Sequence, residues 1–142
     1  MNFIKYLLII LILFSGKTNY SQKTRTLKLA MAQMLVEGGK KQNNLDRAVA
    51  RIEEAAKNKA DIILLPEAMD LGWTHSAAKT EAEPIPSGST FKILADAAKK
   101  YKVYVCAGII EKDSDRTFNA AVLINRQGEL ILKHRKINEL DI

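Results

Sequence analysis

Apolar residues along this chain change their spacing several times, and each change marks an element. In LKLAMAQM, Leu27, Leu29 and Met31 alternate with Lys28, Ala30 and Ala32, which predicts a first strand. The second set is small enough to be buried as well. The turn EGGKKQ breaks that pattern. Leu45, Ala48, Val49, Ile52 and Ala56 then recur at the spacing of one helix face, with Arg47, Arg51, Glu53 and Glu54 turned to water. Asn43 or Asn44 is placed to cap its start. DIILLPE has no alternation, as expected of a strand covered on both faces, and Pro66, lacking an N–H, should end its ladder. Residues 68–88 read as loop. Ser87 or Ser89 can cap a second helix with Phe91, Leu94, Ala95, Ala98 and Tyr101 on its inner face. VYVCAGIIE reads as a second doubly covered strand. FNAAVLIN, the turn RQGE and LILKHRK follow as two strands joined through Gly128.

The predicted order is therefore β-α-β-α-β-β-β. Two helical crossovers followed by a meander specify an α/β layered domain with a mixed sheet. Its 142 residues suffice for one domain, and 47% hydrophobic with 27% charged residues is ordinary globular composition. The first residues stand apart. MNFIKYLLIILILFSG carries one early lysine and then an apolar run, Tyr6 to Phe14, well short of the ~20 residues that span a bilayer. With Ser15, Gly16 and Ser21 behind it, the run reads as a secretory signal peptide, residues 1–22, with residues 23–142 as the N-terminal part of the exported domain. An uncleaved anchor is the other reading; after processing no stable membrane anchor remains.

Charge adds a restriction. Removing residues 1–22 takes away Lys5 and Lys17 and no acid, so the formal charge falls from +6 to +4. Lys133 to Lys136 (KHRK) is the only dense basic patch, a poor footprint for nucleic acid. The single cysteine, Cys106, cannot form an internal disulfide. Metal-ligand spacings and phosphate-binding glycine loops are missing, so no metal and no cofactor is implied.

Candidate chemistry comes from strand ends. Glu67 and Lys136, 69 positions apart, each end a predicted strand of one sheet. Ligands gather beyond the carboxyl ends of strands in open α/β sheets. A carboxylate and an ammonium meeting there can act as general base and oxyanion stabiliser. His75 follows Trp73 in the loop after Glu67, where solvent exposure is the simpler expectation. His134 alternates with Lys136 and can face the same side. Cys106, inside VYVCAGI, reads as a small core residue.

The ordered set KLAMAQ, DIILLPE with Gly72-Trp73 after it, PIPSG, VYVCAGIIE, FNAAVLINRQGEL and LKHRKINEL resembles the N-terminal half of a carbon–nitrogen hydrolase of the nitrilase superfamily, over about residues 27–142. The resemblance implies an α-β-β-α sandwich of the nitrilase type, present here in truncated form because the chain ends at NELDI, directly after a strand. It implies hydrolysis of a non-peptide carbon–nitrogen bond in a small amide, N-carbamoyl compound or nitrile by a Glu-Lys-Cys mechanism, usually in a homodimer. Carried over by motif, Glu67 matches the general base and Lys136 the lysine that stabilises the tetrahedral intermediate. Trp73 matches an aromatic that often follows this glycine and lines the substrate pocket; a plain core position is the other reading. A further family glutamate orients the lysine; Glu139 is one match, with a counterpart further downstream the other. The family's cysteine lies downstream of the lysine, so Cys106 does not match it. A non-catalytic relative serving as a binding or structural module is the alternative. A flavodoxin-type domain is disfavoured, because that fold needs a helix between strands where this chain has a meander.

The N-terminal pattern makes one prediction. Mass spectrometry of the mature protein should find the first 21 or 22 residues gone, and an intact Met1 on a cytoplasmic protein would refute export.

Overall fold

Three short parallel strands and a long antiparallel meander form one five-stranded sheet. The computed structural model describes Thr24 and residues 26–137. The apolar N-terminal run, the expected processing site and Glu139 lie outside them. The elements are β1 (Leu29–Met31), α1 (Lys41–Lys57), β2 (Ile62–Leu64), α2 (Ala77–Thr80), α3 (Ser89–Tyr101), β3 (Tyr104–Asp113), β4 (Arg116–Ile124) and β5 (Leu130–Arg135). The sheet order is β1-β2-β3-β4-β5. The first three strands are parallel, joined by helical crossovers, and the last two pairings are antiparallel. That is the predicted α/β architecture, with α2 as an added turn of helix inside the expected loop. Among the described residues no helix is long and apolar enough to cross a membrane.

The two faces of the sheet differ. Ile63, Val105, Ala107, Ile109, Val122 and Ile124 pack against Leu45, Ile52, Phe91 and Leu94 from α1 and α3. This side is the core. The opposite side of β1, β2 and β5 carries Leu29, Met31, Leu64 and Leu132, all exposed. β2 and β3 are thus covered on one face by helices, while the described residues leave much of the other face open. This corrects the expectation of doubly covered strands. In β1 and just after it the small residues Ala30 and Ala32 meet the core, and Leu29 and Met31 face outward. Among the described residues, the part of the open face that is capped is its far end, where Ile110 packs with Ala68, Leu71, Ala77 and Ala78.

Helix starts use other groups than expected. α1 begins at Lys41 after Lys40, with no side-chain cap. Asn44 lies inside it and is fully buried. Its Oδ1 accepts from the Glu37 N–H (3.0 Å), and its Nδ2 donates to the carbonyls of Glu37 (2.8 Å) and Asp70 (2.9 Å). The asparagine ties two loops to the helix instead of capping it. α3 follows Gly88, and Glu83 reaches its first turn from outside. The Thr90 N–H (2.9 Å) and the Ser89 hydroxyl (2.7 Å) donate to the Glu83 carboxylate, the charge a helix N-terminus favours.

One buried carboxylate fixes β5. Glu111, only 2% exposed, receives Lys133 Nζ (2.5 Å) and Arg135 Nε (2.7 Å) across the helix side of the meander. Arg135 also lies over the Phe118 ring, 4.0 Å from its centroid, and bonds Asp113. The KHRK run is therefore divided by strand alternation. Lys133 and Arg135 are spent on Glu111 on one face, while His134 and Lys136 serve the other. Burial works against the ionised form of Glu111, but hydrogen bonds from Arg135 and Lys133 outweigh it and hold its pKa below the ordinary value. A depressed carboxyl pKa contributes stability above the unfolded value and loses it as pH falls through the folded one. Glu111→Ala should therefore lower stability by about 2 kcal/mol at neutral pH in chemical denaturation. The gap from the parent should narrow in acid, as the parent's carboxylate is protonated.

Candidate active site

Glu67 owes its position to a chain reversal pressed hard against β3. After Leu64 the backbone keeps contact with its neighbour, the Leu65 N–H donating to the Cys106 carbonyl and the Gly108 N–H to that of Pro66. A Cβ on Gly108 would stand 2.6 Å from Glu67 Cα and 2.9 Å from Ala68 N, so this approach requires glycine. Ala68, the next residue, is held at φ +47°, a left-handed conformation that a non-glycine residue adopts at a cost. Two further bonds lock the reversal. The Met69 N–H donates to the Gly108 carbonyl (2.8 Å), and Asp70 Oδ1 accepts from the Ile110 N–H (3.1 Å).

Lys136 reaches the same face from the edge strand β5. It follows β5 directly, and its N–H donates to the Asn119 carbonyl (2.8 Å). Its Nζ lies 3.2 Å from Glu67 Oε1. Asn119 Nδ2 donates to the same oxygen at 2.6 Å. The two residues that the motifs single out are thus brought together, with an asparagine between them. They stand on the rim of a cavity of about 520 Å³ on the open face, lined among others by Leu64, Glu67, Cys106, Asn119, His134 and Lys136. The pair itself is in contact with solvent, the side chains of Lys136 and Glu67 being 42% and 62% exposed.

The other expectations fare differently. Cys106 is half-buried and lines this cavity, because Val105 and Ala107 on either side take the core face. It is a wall of the site, not a core residue. His134 lines the same cavity, as alternation with Lys136 suggested. Trp73 does not line it. The indole packs beside Ala68, Leu71 and Ile110 at the capped end of the face. His75 is exposed and lies against Gly38 and Gly39, its Nδ1 accepting from the Ala77 N–H (3.1 Å). Asn119 and Asp70 were not anticipated. A polar residue inside the apolar run FNAAVLI was the available sign for the first; nothing in the sequence marks the second. Among the described residues no group of three or more histidine, cysteine or acidic side chains is arranged to hold a metal.

Residues 28–140 match the family model described as carbon–nitrogen hydrolase. The chain belongs to this family. Nitrilase homolog 2 of Dictyostelium discoideum is 34% identical over 125 residues, covering 86% of this chain and 38% of that protein. Omega-amidase NIT2 of Bos taurus is 38% identical over 118 residues, covering 82% and 42%. The amidase from Nesterenkonia sp. AN1, determined with acrylamide, shares the fold at a TM-score of 0.75 with 16% identity, covering 84% of this chain and 46% of that one. The chain spans about two fifths of the length of the curated relatives it matches.

In this member of the carbon–nitrogen hydrolase family two carboxylates of one loop titrate in opposite directions. The Asn119 hydrogen bond, followed by that of Lys136, holds Glu67 below the ordinary carboxyl value against a slight desolvation. Burial pushes Asp70 up to about 6 in spite of the N–H groups of Ile110 and Leu71 and its own. Between the unfolded value of 3.8 and about 6 the folded protein holds the extra proton at Asp70, so this group's contribution falls as pH rises through that window. Asp70→Asn keeps an acceptor for Ile110 and removes the ionisation. Denaturation from pH 4 to pH 7 should show the variant gaining on the parent by up to roughly 3 kcal/mol, two pKa units. A constant difference across that range would show that Asp70 titrates normally.

Proposed function

We propose that the protein hydrolyses the carbon–nitrogen bond of a small non-peptide amide, N-carbamoyl compound or nitrile. Glu67 is the general base and Lys136 the oxyanion-stabilising group of a Glu-Lys-Cys mechanism. The observation that carries this reading is the 3.2 Å pair of Glu67 and Lys136, 69 residues apart, on the rim of a cavity. An amide carbon needs a strong nucleophile, and a thiol is one only as thiolate. In this reading Glu67 takes the thiol proton, the thiolate adds to the carbonyl carbon, and the negative charge on oxygen develops beside the Lys136 ammonium. Collapse expels the amine, which receives the proton from Glu67 and leaves a thioester. Water activated by the same carboxylate then hydrolyses it, returning the thiol and releasing the acid.

Cys106 is poorly suited as that thiol, although it shares the cavity. Burial pushes its pKa up, away from the thiolate, and no hydrogen bond joins it to Glu67 among the described residues. The nucleophile is a cysteine that this 142-residue sequence does not contain. A cysteine nucleophile in this reading is supported by the Nesterenkonia amidase, a glutamate-to-glutamine mutant of which takes up acrylamide and the acetamide moiety of fluoroacetamide covalently at the active-site cysteine. Covering the open face would also exclude water from the pair, strengthening the Lys136 interaction and raising the Glu67 pKa toward that of a more effective base. Export through the N-terminal segment and pairing into a homodimer complete the proposal.

In the full-length protein acting on small amides, Glu67→Gln and Lys136→Met should each reduce kcat/KM by roughly 100-fold or more. Cys106→Ala should keep turnover. Residues 1–142 alone should show none. If Glu67→Gln and Lys136→Met retain full activity, the site is elsewhere; if the full-length protein hydrolyses no amide, carbamoyl compound or nitrile, the non-catalytic alternative stands.

A further inference from the structure

The two oxygens of the Glu67 carboxylate are not equivalent. Oε1 receives Asn119 Nδ2 at 2.6 Å and Lys136 Nζ at 3.2 Å. Oε2 receives no hydrogen bond among the described residues. Asn119 is well fixed for this role. It is 6% exposed and sits within the nine-residue β3–β4 ladder opposite Ile110. Its amide orientation follows from chemistry, because only the NH₂ end can donate to an ionised carboxylate. Its carbonyl also accepts the Lys136 N–H at 2.8 Å. One residue therefore holds the acid by its side chain and the lysine by its backbone.

We propose that Asn119 is a positioning residue that divides the labour of the Glu67 carboxylate: Oε1 is anchored by the asparagine, and Oε2 is the atom that accepts and returns the proton. A neutral amide suits the anchor, since it donates without competing for the proton. Lys136 shares the anchored oxygen, so it supplies charge beside the site without blocking the transferring atom. The inference rests on the proposed role of Glu67 as base, but its physical contact is measurable without turnover.

The first test needs no turnover and uses the full-length parent protein. The Asn119 side-chain NH₂ resonances should shift with pH along the same curve as the Glu67 carboxyl carbon, and Glu67→Gln should abolish that titration. An NH₂ signal that does not follow Glu67 overturns the contact, whatever the activity of the protein. The second test uses the full-length protein with a small amide. Asn119→Ala should move the acid limb of the pH–rate profile upward and lower kcat roughly tenfold, the worth of one hydrogen bond to a charged group, with KM little changed. Asn119→Ser, which restores a short donor on the same strand, should recover part of the loss. An unchanged acid limb, or a loss confined to KM, overturns the positioning role even if Glu67→Gln is inactive. Should Asn119→Ala fail to fold, the NH₂ titration of the parent still decides.

Discussion

Contact between the Glu67 reversal and β3 at Gly108 is the constraint on which the site depends. A side chain there would have to occupy the space of the Glu67 backbone, 2.6 Å from its Cα. Because the reversal lies directly on the strand, Glu67 projects over the next strand, β4, and meets Asn119. From Asn119 the ladder continues to Lys136. The positions of acid, amide and lysine are therefore consequences of strand pairing, and they do not depend on flexible loops finding one another.

That arrangement also explains how charge is distributed. β5 delivers cations to both faces of the sheet in alternation. Those on the helix side meet the buried Glu111, which fixes the register of the strand. The one just beyond its end meets the exposed Glu67. A cluster that reads as a basic patch in one dimension becomes, in three, an ionic cluster around Glu111 on one face and the Glu67–Lys136 pair on the other. Glu111 lies across the sheet from the site and helps hold the strand that presents the lysine.

Much of the fold was legible because periodicity survives packing. The α1 face from Leu45 to Ile52 and the meander around Gly128 follow directly from spacing. The pairing of Glu67 with Lys136 was legible through the ordered motifs, since neither residue is informative alone. Other features were not. Alternation shows that a strand has two faces without saying which meets the helices, so Leu29, Met31 and Cys106 were placed inward. Asn44 resembles a cap in sequence, yet its partners at Glu37 and Asp70 are set by tertiary approach. Asn119 acquires meaning only once β4 is laid beside β3. Trp73 packs against the small apolar cluster that includes Leu71 and Ile110 and does not line the cavity, the core position that spacing alone could not separate from a pocket wall.

The central claim is that Glu67 and Lys136 serve a thiol other than Cys106 in cleaving a carbon–nitrogen bond. Peptide mapping of the full-length protein, acid-quenched during turnover of a small amide, tests it most directly. The account predicts an acyl group in thioester linkage on a cysteine outside residues 1–142, absent in Lys136→Met, with Cys106 unmodified. An acyl group on Cys106, or turnover with no acylated cysteine at all, would contradict it.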